Sequence, residues 1–386
     1  MRTLPFTALI AAICILGFIG GCRQESQPGG AAQTKTLRPI RTLEQWDEYR
    51  RLGLVPEKID RVYCSGGTLR LVVYMECAHR VVAVDSNEQN SSSRSDMKAY
   101  LAAHPELRSL PLGGETSGRD NPELLLTLSC PPQLIIKADT NGGYDPDELT
   151  RRTGIPVLLL PMRDLTAGRR EFDTALRLLG AALDKSDRAE DLIAFFDRQI
   201  AEIRERVQKS KIPQSTVYVG GVSFGGSHAF NSTEAGYSPF EIVRVKTPVS
   251  ENADHPQLGK RHAMIAKEKI LQWNPEMLFL DLGTLALGPV NGLSELRNDT
   301  AYRSLTAVRS GNLFAVLPKT CYFVNHDAVL ANAWFIGKTL HPDQFEDVDP
   351  KTKADDIFTF LVGEPVFDIL NADLNHLAFH RISLNE

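Results

Sequence analysis

Residues 171–208, EFDTALRLLGAALDKSDRAEDLIAFFDRQIAEIRERVQ, decide the architecture. The stretch reads as two consecutive helices. In the second, Ala189, Leu192, Ile193, Phe196, Ile200, Ile203 and Val207 recur at three- and four-residue spacing, which puts them on one buried face. Ser186 or Asp187 is expected to cap its start, and Asp187 with Glu190 has the spacing of a capping box. Lys209, Lys211 and Pro213 close the other end. At 1.5 Å per residue the predicted rod is about 34 Å long. One unit recurs on either side of it: a short helix opening on an acidic side chain, a Pro-containing turn and an apolar strand. It runs once from Asn121 to Ile136 and again from Ala266 to Leu280. The expected fold class is therefore α/β, with two Rossmann-like lobes of mainly parallel sheet joined by a long backbone helix.

Outward from the spine, short apolar strands alternate with helices. Val62 to Cys64, Arg80 to Asp85, Leu134 to Lys137 and Val157 to Leu160 are expected strands of the first lobe. Thr216 to Val219, Met277 to Leu280 and Leu313 to Leu317 are those of the second. The predicted boundaries are a first lobe over 38–168, linking helices over 169–212, a second lobe over 213–340 and a helical tail over 341–386. The beginning reads differently. Arg2, an apolar run from Leu9 to Ile19 and Gly20-Gly21 before Cys22 have the order of a bacterial lipoprotein signal, with residues 1–21 as leader and 22–37 as a flexible tether. Lipid on Cys22 would anchor the protein to a membrane surface without spanning it, in the cell envelope and facing the periplasm or the cell exterior.

Composition is that of a soluble globular protein, 42% hydrophobic and 24% charged, and the net charge of −5 gives no reason to expect nucleic acid. Cys64, Cys77, Cys130 and Cys321 include no C-x-x-C pair, which argues against a structural zinc or iron–sulfur site. Outside the cytoplasm Cys64 and Cys77 could pair, or remain free buried thiols.

The candidate ligand-binding stretches are loops at strand ends. Ser65-Gly66-Gly67 follows the first strand and could present backbone N–H groups to an anion. Residues 220–240, dense in Gly and hydroxyls, follow the first strand of the second lobe. His228 within them can ligate a transition metal, and His326, Tyr237 and Tyr322 can ligate or hydrogen-bond a chelate. Arg119 and Lys319 would matter for an anionic ligand, and Glu234 could ligate a metal or cap a helix. His79, His104, His255, His262 and His341 read as surface residues.

The repeated lobe, the intervening helix, the lipoprotein start, residues 219–240 and Tyr322 to Lys338 together resemble the substrate-binding lipoproteins of ABC importers for iron–siderophore complexes, haem and cobalamin, in the iron-complex subgroup. The resemblance covers Arg61 to about Leu361. It implies a monomeric protein without a cofactor of its own that holds an iron chelate between its lobes and hands it to an ABC permease and its ATPase. Carried over by position, the cleft is lined by Ser65, Gly66, Gly67, Asn87, Arg119 and Thr140 from the first lobe. Ser223, Phe224, His228, Glu234, Tyr237, Thr284, Tyr322 and His326 line it from the second. Glu123 and Glu268, at the heads of the repeated helices, take the permease-docking positions; each alone could serve its helix macrodipole, but occurrence twice at matching repeat positions favours docking.

Related scaffolds take molybdate, corrinoids or haem, and the two glycine turns keep molybdate or tungstate open as ligands. A different class is also spelled out, since Gly221-Val-Ser-Phe-Gly225 matches the nucleophile-elbow string and Ser223, His228 and Asp281 supply serine-hydrolase residue types. The chain continues as a loop where that fold needs an immediate helix. A chelatase or nitrogenase-like oxidoreductase shares the bilobal plan, but the leader and the missing cluster cysteines argue against both.

Overall fold

The protein is represented by a computed structural model that describes residues 37–89, 97–139, 142–251 and 262–384. The leader, Cys22, the tether as far as residue 36, Thr140 and His255 lie outside the described residues. In the first lobe β1 (Val62–Ser65), β2 (Val81–Asp85), β3 (Leu112–Glu115), β4 (Arg119–Asp120), β5 (Leu134–Ala138) and β6 (Val157–Leu160) form one sheet in the order β4-β3-β2-β1-β5-β6. Every neighbouring pair is parallel except β3 with β4. β1 and β5 are buried along their whole length, as strands covered by helices on both faces must be. The strand order turns outward in both directions from the β1–β5 pair, and the crevice beyond their carboxyl ends is where such sheets usually bind ligands.

The second lobe repeats the plan on a smaller scale. β7 (Val217–Gly220), β10 (Met277–Asp281) and β11 (Leu313–Val316) pair in parallel in the order β11-β10-β7. Beside them β8 (Ser232–Glu234) pairs antiparallel with β9 (His262–Met264). A short ribbon, β12 (Thr320–Cys321) with β13 (Phe323–Val324), follows β11.

The spine consists of the helices Arg169–Ala182 and Ser186–Lys209. All seven residues expected on the apolar face of the second are buried, together with Phe195. The expected cap is not made. Lys185 holds the N-cap position without a side-chain cap bond, and Ser186 is already helical. Glu190 cannot complete a capping box because its carboxylate pairs with Arg177 of the preceding helix, at 2.6 and 3.0 Å.

The helix His326–Leu340 is buried all round from His326 to Gly337. The helix Ser238–Val243, the spine and the helix Pro350–Val362 pack against it. The residues after 341 are built into the rest of the molecule. Arg188 of the spine donates to the Phe360 carbonyl, and His104 of the first lobe lies 3.2 Å from the Val362 carbonyl. Cys64 and Cys77 are free buried thiols. No helix among the described residues is long and apolar enough to cross a membrane.

Candidate ligand-binding cleft

Two strands of the molecule end in an aspartate that organises the loop after it. At the end of β2, Asp85 accepts from the N–H groups of Asn87 at 3.0 Å, Glu88 at 3.2 Å and Gly66 at 3.3 Å. At the end of β10, Asp281 accepts from Gly283 N at 2.9 Å and Lys319 N at 3.0 Å. Each replaces scattered backbone donors by one fixed turn, the usual work of an Asp at a strand end. Burial pushes both carboxyls up to about 7, and at Asp85 the neighbouring Glu88 carboxylate acts in the same direction.

Between these loops lies a cleft of about 410 Å³. The first lobe contributes Asn87, Thr116 and Ser117, and the second contributes Ser223 to Ser227, Gly283, Pro318 and Thr320 to Tyr322. The lining combines hydroxyls, an amide and backbone with Phe224, Pro318 and Cys321, and among the described residues it has no charged side chain. Phe224 gives it one aromatic surface, 62% exposed, its ring stacked 4.7 Å from that of His262. Gly225 and Gly226 turn the loop with φ of +62° and +142°, conformations that L side chains avoid. Such a cleft offers many two-way hydrogen-bonding groups and one apolar face, at the small end of the usual range for ligand sites.

Tyr322 joins the two walls. It lies in the second lobe's ribbon with φ of +66°, and its hydroxyl donates to Asp85 at 2.5 Å and accepts from Ser117 N at 2.9 Å. The ribbon is held by Arg70, a fully buried first-lobe guanidinium. It donates to the carbonyls of Cys321 at 2.9 Å and Phe323 at 3.2 Å, to that of Val324, and to Asn325 Oδ1 at 2.8 Å. The second lobe thereby fills the switch-point crevice of the first.

Asn87, Ser223, Phe224 and Tyr322 are the expected site residues that the fold brings together on the cleft wall. The others go elsewhere. Ser65, Gly66 and Gly67 lie beneath the ribbon, where a Cβ on Gly67 would come within 2.6 Å of the Phe323 ring and the Gly66 N–H already serves Asp85. Arg119 is exposed on β4 beside Glu115, outside the lining. Glu234 is buried in an ion pair with Lys319. Tyr237 is buried edge-on to Phe240, and Thr284 is buried with its hydroxyl accepting from Gly292 N at 2.7 Å. His326 is part of the core: its ring stacks on Phe172 at 4.2 Å, Nε2 donates to the Arg163 carbonyl at 2.7 Å, and burial holds its pKa down at about 3. His228 stands half-buried behind Phe224, with Nε2 2.8 Å from the Phe224 carbonyl. Among the described residues no hydrogen bond joins Ser223 to His228, and the Asp281 oxygens are taken by backbone N–H groups, so the hydrolase arrangement is not assembled.

His262, read from sequence as a surface residue, lies in β9, 5.3 Å from His228 between ring centroids and 2.8 Å from Ser232 Oγ. Burial first, and the His228 ring after it, keep its pKa low. Thr116, Ser117, Gly283, Pro318, Thr320 and Cys321 were also not anticipated, whereas Gly225, Gly226 and Ser227 fall within the 220–240 stretch. The available signal was an apolar strand ending in Asp, followed by Ser-Asn at Asp85 and by Leu-Gly at Asp281, which marks turns that face the same opening.

A family model described as periplasmic binding protein matches residues 116–320. No curated protein matches the sequence. Among solved structures, the fold is similar to that of a periplasmic solute binding protein of Veillonella parvula, at 14% identity and a TM-score of 0.63, covering 84% of this chain and 93% of that one. It is also similar to the molybdate periplasmic binding protein MolA of Haemophilus influenzae, bound to molybdate, at 17% identity and a TM-score of 0.60, covering 80% and 94%. The periplasmic haem-binding protein RhuT of Roseiflexus sp. RS-1 is similar at 19% identity and a TM-score of 0.51, covering 74% and 98%.

Proposed function

The chain belongs to the periplasmic binding protein family, and from that premise we propose that it captures a small iron complex between its lobes and delivers it to an ABC permease. The family and its structural neighbours are solute-binding proteins, so this chain acts by binding and not by catalysis. The observation that carries the ligand reading is the make-up of the cleft. Hydroxyls and an amide surround the space, and the exposed Phe224 ring offers a face to the organic part of a chelate. His228, one residue shell behind that ring, is the candidate to reach the metal.

A second reading, a tetrahedral oxyanion such as molybdate or tungstate, is favoured by the backbone and hydroxyl donors of Gly225 to Ser227. MolA, a neighbour in fold, is bound to molybdate. The absence of Arg119 from the cleft lining counts against it. Corrinoids and haem ask for more room than about 410 Å³ offers.

Delivery would use Glu123 and Glu268. Each is the second residue of its repeated helix, Pro122–Thr127 and Lys267–Trp273, and each is exposed. Glu123 pairs with Arg152, an ion pair that a permease arginine can exchange. Anchoring through lipid on Cys22 completes the reading and would hold the cleft close to the membrane.

The test is elemental analysis with native mass spectrometry on protein taken from an extracytoplasmic preparation. Iron with an organic adduct is expected, released when Phe224 is changed to Ala. Molybdenum or tungsten without an adduct would move the ligand to an oxyanion. Turnover of any substrate that Ser223→Ala abolishes would overturn the binding-protein reading.

A further inference from the structure

At the opposite end of the second lobe's sheet from the cleft, where β11 begins, lies a groove of about 450 Å³. Arg303, Arg309 and Arg381 line it, with Val308, Leu313 and Ile382 as apolar wall and no acidic side chain among the described residues. Among the described residues none of the three guanidinium groups is paired with a carboxylate. Other arginines, among them Arg151, Arg152, Arg163, Arg169, Arg177 and Arg206, have acidic partners. Three uncompensated positive charges around one concavity raise the local concentration of anions.

The groove is also built from well-fixed parts. Arg381 pairs by an antiparallel bridge with Phe314 of β11, and the next residue, Ile382, donates from its backbone to the Leu313 carbonyl at 2.8 Å. The Arg381 guanidinium carbon lies 5.3 Å from the Phe314 ring centroid, an arrangement that steadies the planar group and leaves its N–H edge available. Arg303 and Arg309 come from the short helices Thr300–Arg303 and Thr306–Arg309 that flank the same opening. Guanidinium forks match the oxygens of carboxylate and phosphate alike, but three of them around one space suit a doubly charged tetrahedral group better than a single carboxylate.

We propose that this groove is a second binding site, separate from the cleft, for a phosphate-bearing anion whose non-phosphate part lies along Val308 and Ile382. Phosphate of this kind is carried by soluble phosphorylated solutes and by the headgroups of anionic lipids, and the groove recognises the chemistry that they share.

The test uses the full chain at low ionic strength. Calorimetric titration with inorganic pyrophosphate is expected to show one equivalent bound, weakened at least tenfold by Arg381→Glu and by the double change Arg303→Gln with Arg309→Gln. Cleft-ligand affinity and melting temperature should be unchanged in the glutamine pair, whose side chains are exposed. Sedimentation with phosphatidylglycerol vesicles, but not with phosphatidylcholine vesicles, and displacement by pyrophosphate would assign the site to a lipid headgroup. Pyrophosphate binding without vesicle capture would assign it to a soluble solute. No pyrophosphate binding, or binding that the folded glutamine pair retains in full, overturns the proposal.

Discussion

Asp85 closes β2 in the first lobe and Asp281 closes β10 in the second, and each buried carboxylate holds the backbone N–H groups of the loop that follows. Their partners differ. Among the described residues Asp281 binds its own lobe, through Gly283 and Lys319, whereas Asp85 also receives the Tyr322 hydroxyl from across the cleft. One device thus shapes a loop in the second lobe and ties two lobes together in the first. A carboxylate's role in such a molecule depends less on its strand than on which lobe supplies its last hydrogen bond.

The comparison breaks most sharply at Arg70. Changing it to Ala leaves the acceptors of residues 321–325 without their buried donor and Asp327 without its nearest charge, and should cost about 3–5 kcal/mol. Denaturant unfolding measures this. An unchanged midpoint would mean that the ribbon is held by something other than the first lobe.

Acidity tests the two aspartates against His326. Both carboxyls are raised in the folded protein, from the ordinary range near 4 to about 7, so the native state keeps protons that the unfolded chain has lost. Their contribution is full below about pH 4 and is lost as the pH rises through 7. His326 has the opposite sign. Its pKa falls to about 3, so its contribution is present above the ordinary histidine value near 6.5 and is lost as the pH falls towards 3. Asp281→Asn should therefore leave a protein that loses stability more steeply than the parent on acidification from pH 7 to 4, and His326→Gln one that loses it less steeply. Melting temperatures across that window decide, and identical slopes in the two variants would refute the assignment.

Tyr322→Phe removes the hydroxyl that joins the walls and should cost about 1 kcal/mol. The lost contact should appear locally, as faster amide exchange at Ser117, while the loop after Asp281 is unaffected. Exchange that rises equally in both lobes would show that the link is not confined to Tyr322. Last, Glu123→Arg with Glu268→Arg should leave melting and ligand affinity unchanged and abolish uptake in cells. Loss of affinity would remove both residues from docking.

The spine and the strands were legible because each is specified by its own neighbours. The seven spine positions follow from helical spacing alone, and the helix from Pro146 to Thr153 follows from Asp145, Pro146 and Gly154, which start and stop it. The cleft was legible only in part because its walls come from opposite ends of the chain. Tyr237 and Tyr322 look alike in sequence, both set among turn residues, yet packing buries one edge-on to Phe240 and carries the other to Asp85. His262 follows Lys260 and Arg261, which suggested a solvated turn, but pairing of β9 with β8 brings it under Phe224. A strand partner selects the face of a short polar strand, and nothing local announces it.

Arg70 finds its acceptors between 251 and 255 residues further along the chain, and His104 meets Val362 across 258 residues. In terms of assembly order, the first lobe is the earliest to be made and among the last to be finished. Loops of this length close slowly. Its anchors at residues 321–325 and 362 come late in the chain, so these contacts can form only once most of it is present.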